Sequence, residues 1–109
     1  MSGSRTTIVD DGRVGPIHPG EFLREDFLIG SEVPVDEVAT ATGLNRDWLQ
    51  ALLDELERLD ANADLRLGRY FGMSDGFFLR LQNRYDLDEA KQRLGAEFDH
   101  IAPRRAEAA

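Results

Sequence analysis

The chain has 109 residues, 41% of them apolar and 31% charged, with a formal net charge of -8 and no cysteine. That length allows one compact domain, and the composition is typical of a folded protein rather than a disordered one. The acidic balance excludes a general polyanion binder, so any contact with DNA has to be local. The lack of thiols excludes a disulfide scaffold, thiol catalysis and cysteine-ligated metal sites.

No apolar run approaches the roughly 20 residues that span a bilayer, and the first residues lack the apolar segment of a signal peptide. We therefore expect a cytoplasmic protein without membrane contact. Two histidines occur, His18 and His100, and neither has a second nitrogen or sulfur ligand at a recognisable spacing. Because there is also no nucleophile-base pair and no phosphate-binding glycine loop, we expect no catalytic residue, no cofactor and no metal.

Residues 1–16 show neither a strand nor a helix period and end in Gly15-Pro16, which predicts a flexible N-terminal arm. In residues 17–103 the apolar positions recur at helical spacing and are interrupted by glycine or proline, which predicts one all-α domain of several short helices. Residues 104–109 are small or charged and predict a flexible tail.

The first predicted helix begins at Pro19, whose fixed φ suits an opening turn, and ends at Gly30-Ser31. His18 is interpreted as the residue that leads into this helix. Its inner face is predicted to carry Phe22, Leu23 and Phe27.

The second predicted helix runs from Pro34 to Thr42 and is closed by Gly43 in the left-handed conformation. Asn45 is the predicted N-cap of the third helix. The predicted inner faces of these two helices consist of Val35, Val38 and Ala39 in the second, and Leu49, Leu52, Leu53 and Leu56 in the third.

A fourth helix is predicted over residues 62–71, carrying Leu65 and Phe71 and closed by Gly72. Ser74 is the predicted cap of a fifth helix. The last apolar stripe, from Leu87 to Ile101, either seals the core or forms a dimer. The predicted dimer interface consists of Phe77, Phe78, Leu81, Tyr85, Leu94 and Phe98.

Residues 34–53 have the spacing of a helix-turn-helix. Ala39 is small enough for close helix approach, Gly43 permits the turn, and Leu49 anchors the second helix of the pair. The alternative interpretation is an ordinary corner between two helices of a bundle.

Four separated blocks of the sequence resemble the HigA-type antitoxins of the Cro/C1 helix-turn-helix class, also called VapI-like addiction-module antidotes. The blocks are Ile17–Leu23, Ala41–Leu44, Leu65–Gly72 and Leu79–Leu87. The resemblance implies a five- to six-helix Cro/C1-type (lambda-repressor-like) domain that forms a homodimer and binds its own operator DNA. It also implies neutralisation of a HigB-like toxin that cleaves mRNA.

Carried over onto this sequence, the resemblance makes the third helix the recognition helix. The predicted DNA contacts are Asn45, Arg46, Asp47, Trp48 and Gln50, together with Val35 and Asp36 at the start of the supporting helix. For Trp48, the alternative is a side chain that covers the core edge or a dimer seam. Asp64 and Gly68 stand where the resemblance leads us to expect alanines, which suggests local loosening.

The recognition helix departs from the family pattern in its charge. Residues 32–64 hold nine acidic residues against two basic ones, a balance of -7. Family members carry an Asn-Gly pair followed by basic residues, whereas this chain has Asp54-Glu55 and then Leu56-Glu57. Such a surface repels DNA unless basic groups flank it. The candidate compensating residues are Arg5, Arg13, Arg66, Arg69, Arg80 and Arg84.

The alternative function, from another class, is a protein-interaction module that keeps the helix-turn-helix fold and has weak or lost DNA binding. An acidic recognition helix would then serve as a protein-binding surface.

Overall fold

The computed structural model describes residues 16–104, and within that range the chain folds into six helices without a strand. Helix α1 begins as an α-helical turn over Pro19–Phe22 and continues as a π-helical segment over Leu23–Ile29. The other helices are α2 (Val35–Thr42), α3 (Arg46–Leu53), α4 (Ala61–Phe71), α5 (Phe77–Leu94) and α6 (Ala96–Asp99). The all-α prediction is confirmed. Most of the predicted arm, the tail beyond Arg104, and Arg5 and Arg13 lie outside the described residues.

The predicted starts of α1 to α3 are confirmed, and local chemistry explains each of them. His18 precedes α1, and its Nδ1 accepts a hydrogen bond of 2.9 Å from the Gly20 N–H. Pro34 is the residue before α2, and Asn45 caps α3. The side chains of His18 and Asn45 accept hydrogen bonds from amide groups at a helix start, which have no partner within the helix, whereas Pro34 makes no side-chain cap.

The core lies where α1, α3, α4 and α5 meet. It contains the fully buried side chains of Leu23, Leu49, Leu52, Leu67 and Phe78. Helix α1 crosses α3 so closely that a Cβ at Gly20 would lie 1.8 Å from the backbone oxygen of Leu52. Only glycine permits this approach, which holds the start of α1 against α3.

The predicted inner position of Leu56 is wrong, and Leu65 of the predicted fourth helix faces outward. Leu56 is 77% exposed and Leu65 is 51% exposed. Helix α3 ends at Leu53, so Leu56 no longer follows the helical period of the buried leucines. In α4 the buried face is set by Ala63 and Leu67, four residues apart, and Leu65 lies on the other side of the helix.

The predictions for Asp64 and Ser74 are also wrong. Asp64 is 1% exposed, and its carboxylate accepts hydrogen bonds from three backbone N–H groups at the start of α5. The donors are Gly76 at 2.6 Å, Phe78 at 2.8 Å and Leu79 at 2.9 Å. Asp64 thus caps α5 from another helix and tightens the structure, whereas we expected Ser74 as the cap and local loosening at Asp64.

Gln82 lies on α5 and binds the loop that precedes α4. Its side chain is buried, and its Oε1 accepts a hydrogen bond of 2.7 Å from the Leu59 N–H. Asp86, one turn later, accepts two hydrogen bonds of 2.8 Å from the Arg58 guanidinium. These contacts fix the segment that follows α3.

Candidate nucleic-acid interface

Helices α2 and α3 form the helix-turn-helix. Gly43 lies between them with φ +80°, and its N–H donates to the Ala39 carbonyl at 2.9 Å. The Thr42 Oγ1 donates to the Val38 carbonyl at 2.7 Å and accepts from the Leu44 N–H at 3.3 Å. The turn is therefore closed by its own backbone and one hydroxyl.

Arg66 of α4 lies against this turn. Its Nη1 donates to the Thr42 carbonyl at 2.7 Å, and its Nε donates to the Asn62 Oδ1 at 2.9 Å. A Cβ at Gly43 would lie 2.8 Å from the same Nη1. Arg66, which we expected as a free compensating charge, thus supports the turn from behind.

The start of α3 is fixed by Asn45, whose Oδ1 accepts a hydrogen bond of 2.9 Å from the Trp48 N–H. The end of α3 is followed by Glu55, which adopts φ +67°. This is the position where we expected a family glycine, and the left-handed backbone explains why glycine suits it.

The predicted DNA contacts lie in one region, but they differ in exposure and in the hydrogen-bonding groups that remain free. Arg46 and Asp47 are exposed on the first turn of α3, with side chains 49% and 94% exposed. Gln50 is half-buried, and its Nε2 donates to the Asp54 Oδ1 at 3.1 Å. The oxygen of the Asn45 side chain already accepts the capping bond.

Trp48 and Val35 are partly buried and pack against the core. For Trp48 this is the core-edge alternative that we left open. Arg46 is the one cationic residue of α3.

Arg46 is engaged by α2. Its Nε donates to the Asp36 Oδ1 at 2.6 Å, and its Nη1 lies 3.8 Å from the Asp47 Oδ1. The hydrogen bond that Arg46 donates to Asp36 and the charge of that carboxylate raise the pKa of Arg46. The first turns of α2 and α3 are therefore joined by an exposed ion pair.

The expected compensating arginines divide into two groups. Arg84 of α5 forms an ion pair of 3.0 Å with Asp88. Arg69 of α4 and Arg80 of α5 are exposed and have no hydrogen bond or ion pair to another residue in the described range 16–104. Of the expected compensating arginines within residues 16–104, these two remain available for an anionic partner.

The predicted dimer residues lie along α5 and α6, and one of them needs correction. Phe78 is fully buried in the core of its own chain, where its ring contacts Phe27 and Phe77. It is therefore not an interface side chain. Phe77, Leu81 and Tyr85 are half-buried against the same body.

Further along, the apolar stripe is exposed: the outward side chains are Leu87, Leu94, Phe98 and Ile101.

Within residues 16–104 no helix is long and apolar enough to cross a membrane. The same residues contain no group of three or more His, Cys, Asp or Glu side chains placed to hold a metal ion.

Comparison with known proteins identifies relatives along most of this fold. Virulence-associated protein I of Dichelobacter nodosus is 36% identical over 76 residues, which is 70% of each chain. The antitoxin HigA of Pseudomonas aeruginosa, solved with the higBA promoter, is 34% identical, with a TM-score of 0.75 over 81% of this chain and 97% of that one.

A third relative is an addiction module antidote protein of the HigA family from Coxiella burnetii. It is 28% identical, with a TM-score of 0.77 over 84% of this chain and 100% of that one. No family model matches the chain. Two of these relatives are named as an antitoxin and an antidote, and the chain belongs to the HigA family of helix-turn-helix addiction-module antidotes.

Proposed function

We propose that the protein is a HigA-type antitoxin that binds operator DNA through α3 and represses its own operon. The observation that carries this proposal is the complete helix-turn-helix, with its left-handed Gly43 turn and the cap of α3 by Asn45. A similar chain, HigA of Pseudomonas aeruginosa, was solved with its promoter. In such a fold the N-terminal residues of the recognition helix contact base edges in the major groove.

Helix-turn-helix repressors commonly bind two half-sites as dimers, and we propose the same for this protein. The exposed side chains of Leu87, Leu94, Phe98 and Ile101 support a homodimer formed through α5 and α6. A two-fold dimer would place two α3 helices about 34 Å apart on one face of the DNA. Light scattering coupled to gel filtration should return about twice the monomer mass, and a monomer at micromolar concentration would contradict this part of the proposal.

The partner toxin is proposed to be a HigB-like, mRNA-cleaving protein in the cytoplasm. An enzyme that acts on RNA is commonly basic, and the balance of -7 in residues 32–64 favours association with a basic surface. Co-expression with the adjacent open reading frame should recover a basic partner, and the complex should weaken as salt rises. Recovery of this protein alone would argue against neutralisation.

DNA binding is tested by titrating the wild-type dimer against its own upstream fragment and a scrambled fragment of equal length, using fluorescence anisotropy at two salt concentrations. We expect tighter binding to the upstream fragment at both. Equal affinity for the two fragments, with folding and dimerisation intact, would contradict the repressor function.

One observation favours a second candidate, the protein-interaction module. Asp47, Asp54 and Glu57 are exposed on α3 and directly after it, and Arg46 and Arg58 are both paired with carboxylates. If the module is correct, the upstream fragment will not be preferred, and the basic partner will still be recovered by co-expression.

A further inference from the structure

The structure assigns Asp36 as the residue that positions Arg46 to bind the major-groove edge of a guanine. This inference rests on the proposed operator binding and names the chemistry of its central contact. Its first basis is geometry: the carboxylate of Asp36 on α2 accepts from the Nε of Arg46 on α3 at 2.6 Å. Ten residues separate the two, and only the crossing of the two helices brings them together.

The second basis is the set of donors that remains. With Nε bound, the outer pair Nη1 and Nη2 of Arg46 makes no hydrogen bond to another residue in the described part of the chain. Guanine offers two acceptors, O6 and N7, in the major groove, and arginine binds both with two parallel N–H groups. A guanidinium held along one edge presents the other edge in a fixed direction, which reduces the entropy lost on binding.

The third basis is charge. Asp36 neutralises Arg46, and Asp47 lies 3.8 Å from its Nη1, so this cluster carries a net negative charge. A phosphate is attracted by net positive charge, whereas a base edge is neutral and needs only aligned donors. The cluster therefore favours a guanine over a phosphate as the partner of Arg46.

The fourth basis is that no neighbouring amide is free to bind a base with both its oxygen and its nitrogen. The Asn45 oxygen is used in the helix cap, Gln50 is bonded to Asp54, and Trp48 packs against the core. Discrimination between bases by the first turn of α3 is thus concentrated in Arg46, and the orientation of Arg46 depends on Asp36.

The test measures binding of the full-length protein to its own upstream fragment and to duplexes in which single base pairs are replaced. For the wild type, replacing one G·C pair in one half-site should weaken binding about 10- to 100-fold, the range of a single bidentate base contact. In Arg46→Ala, replacing that base pair should weaken binding by about 2-fold or less, whereas the penalties for replacing other base pairs should remain.

Asp36→Ala should reduce the same penalty to about 3-fold, because the guanidinium is no longer held. Asp36→Asn keeps an oxygen acceptor for Nε and should restore most of the discrimination. Glu37→Ala is the matched control: it removes a carboxylate from the same turn, but Glu37 contacts the Tyr70 hydroxyl rather than Arg46. It should tighten binding to all fragments equally and leave base preference unchanged.

If Asp36→Ala behaves like Glu37→Ala, with uniform tightening and an unchanged penalty at every base pair, Asp36 is not a positioning residue and the inference is overturned while operator binding stands. If the wild type does not distinguish its upstream fragment from scrambled DNA, operator binding fails and this inference fails with it.

Discussion

Asp64 and Asp36 each tie one helix to the start of another, but the first does so inside the core and the second at the surface. Asp64 is 1% exposed and accepts three backbone N–H groups, whereas the Asp36 side chain is 75% exposed and accepts one guanidinium nitrogen. Burial makes an unsatisfied donor costly, and exposure lets water replace a lost partner. The α4–α5 junction therefore maintains the fold, while the α2–α3 ion pair is free to serve binding.

The largest expected effect is at Asp64. Asp64→Ala leaves one buried and two part-buried N–H groups without an acceptor and removes the cap of α5, so the free energy of unfolding should fall by about 3 kcal/mol. Asp64→Asn should lose less, because one amide oxygen still accepts from Phe78 and Leu79. Urea unfolding followed by circular dichroism measures both, with the exposed Asp75→Ala as control. A loss in Asp64→Ala no larger than the control would contradict the cap.

A smaller loss of stability is expected at the turn. Gly43 has φ +80°, and a non-glycine residue in that conformation costs about 1–2 kcal/mol, so Gly43→Ala should lower the free energy of unfolding by about that amount. The added Cβ also meets Arg66 and should displace its guanidinium. The exposed Gly72 also has positive φ, but a Cβ there would meet no atom, so Gly72→Ala separates backbone strain from the steric contact. Equal losses in the two variants would exclude a role for Arg66.

His18, which precedes α1, should make the free energy of unfolding depend on pH. Burial lowers the pKa of His18 below its ordinary value of 6.5, and its Nδ1 accepts from the Gly20 N–H only when that nitrogen carries no proton. The unfolded chain therefore binds the proton more readily. The stabilising contribution is complete above pH 6.5 and is lost as pH falls through the lower folded pKa.

His18→Asn keeps an acceptor before α1 but does not titrate. Thermal unfolding of the wild type between pH 8 and 5.5 should show a decline that is absent in His18→Asn. Parallel pH profiles of the two proteins would contradict the role of His18.

The smallest effect on stability is expected at Asp36. The ion pair with Arg46 is exposed, and exposed pairs contribute little to folding. Asp36→Ala should therefore leave the urea midpoint unchanged while it alters DNA discrimination. A clear drop in the midpoint would place Asp36 with Asp64, as a structural residue.

The parts of the fold that sequence predicted are those with local causes. Pro19, Gly43, Asn45 and Gly72 mark helix ends by their own backbone or side-chain chemistry, and each lies where it was expected. The cap by Asp64 was missed because its partners lie 12 to 15 residues away along the chain.

In the candidate site, too, features with local causes were predicted and features set by distant partners were not. The recognition helix and the exposed Arg46 follow from the sequence pattern, but the hydrogen bond to Asp36 depends on how α2 and α3 cross. The exposure of Leu56 was missed because an apolar residue carries no sign of where a helix ends. Packing between distant segments decides these features.

Whether α3 faces DNA is tested most directly by a substitution at Asp47, because its side chain is 94% exposed on the first turn of α3. Asp47→Asn removes one negative charge from that face, and Asp75→Asn removes one from a loop outside the helix-turn-helix. If α3 lies in the major groove, the phosphates on both sides repel Asp47, so Asp47→Asn should bind the upstream fragment about 3- to 10-fold more tightly at low salt, with a smaller gain at high salt. Equal affinities of the two variants at low salt would contradict the claim.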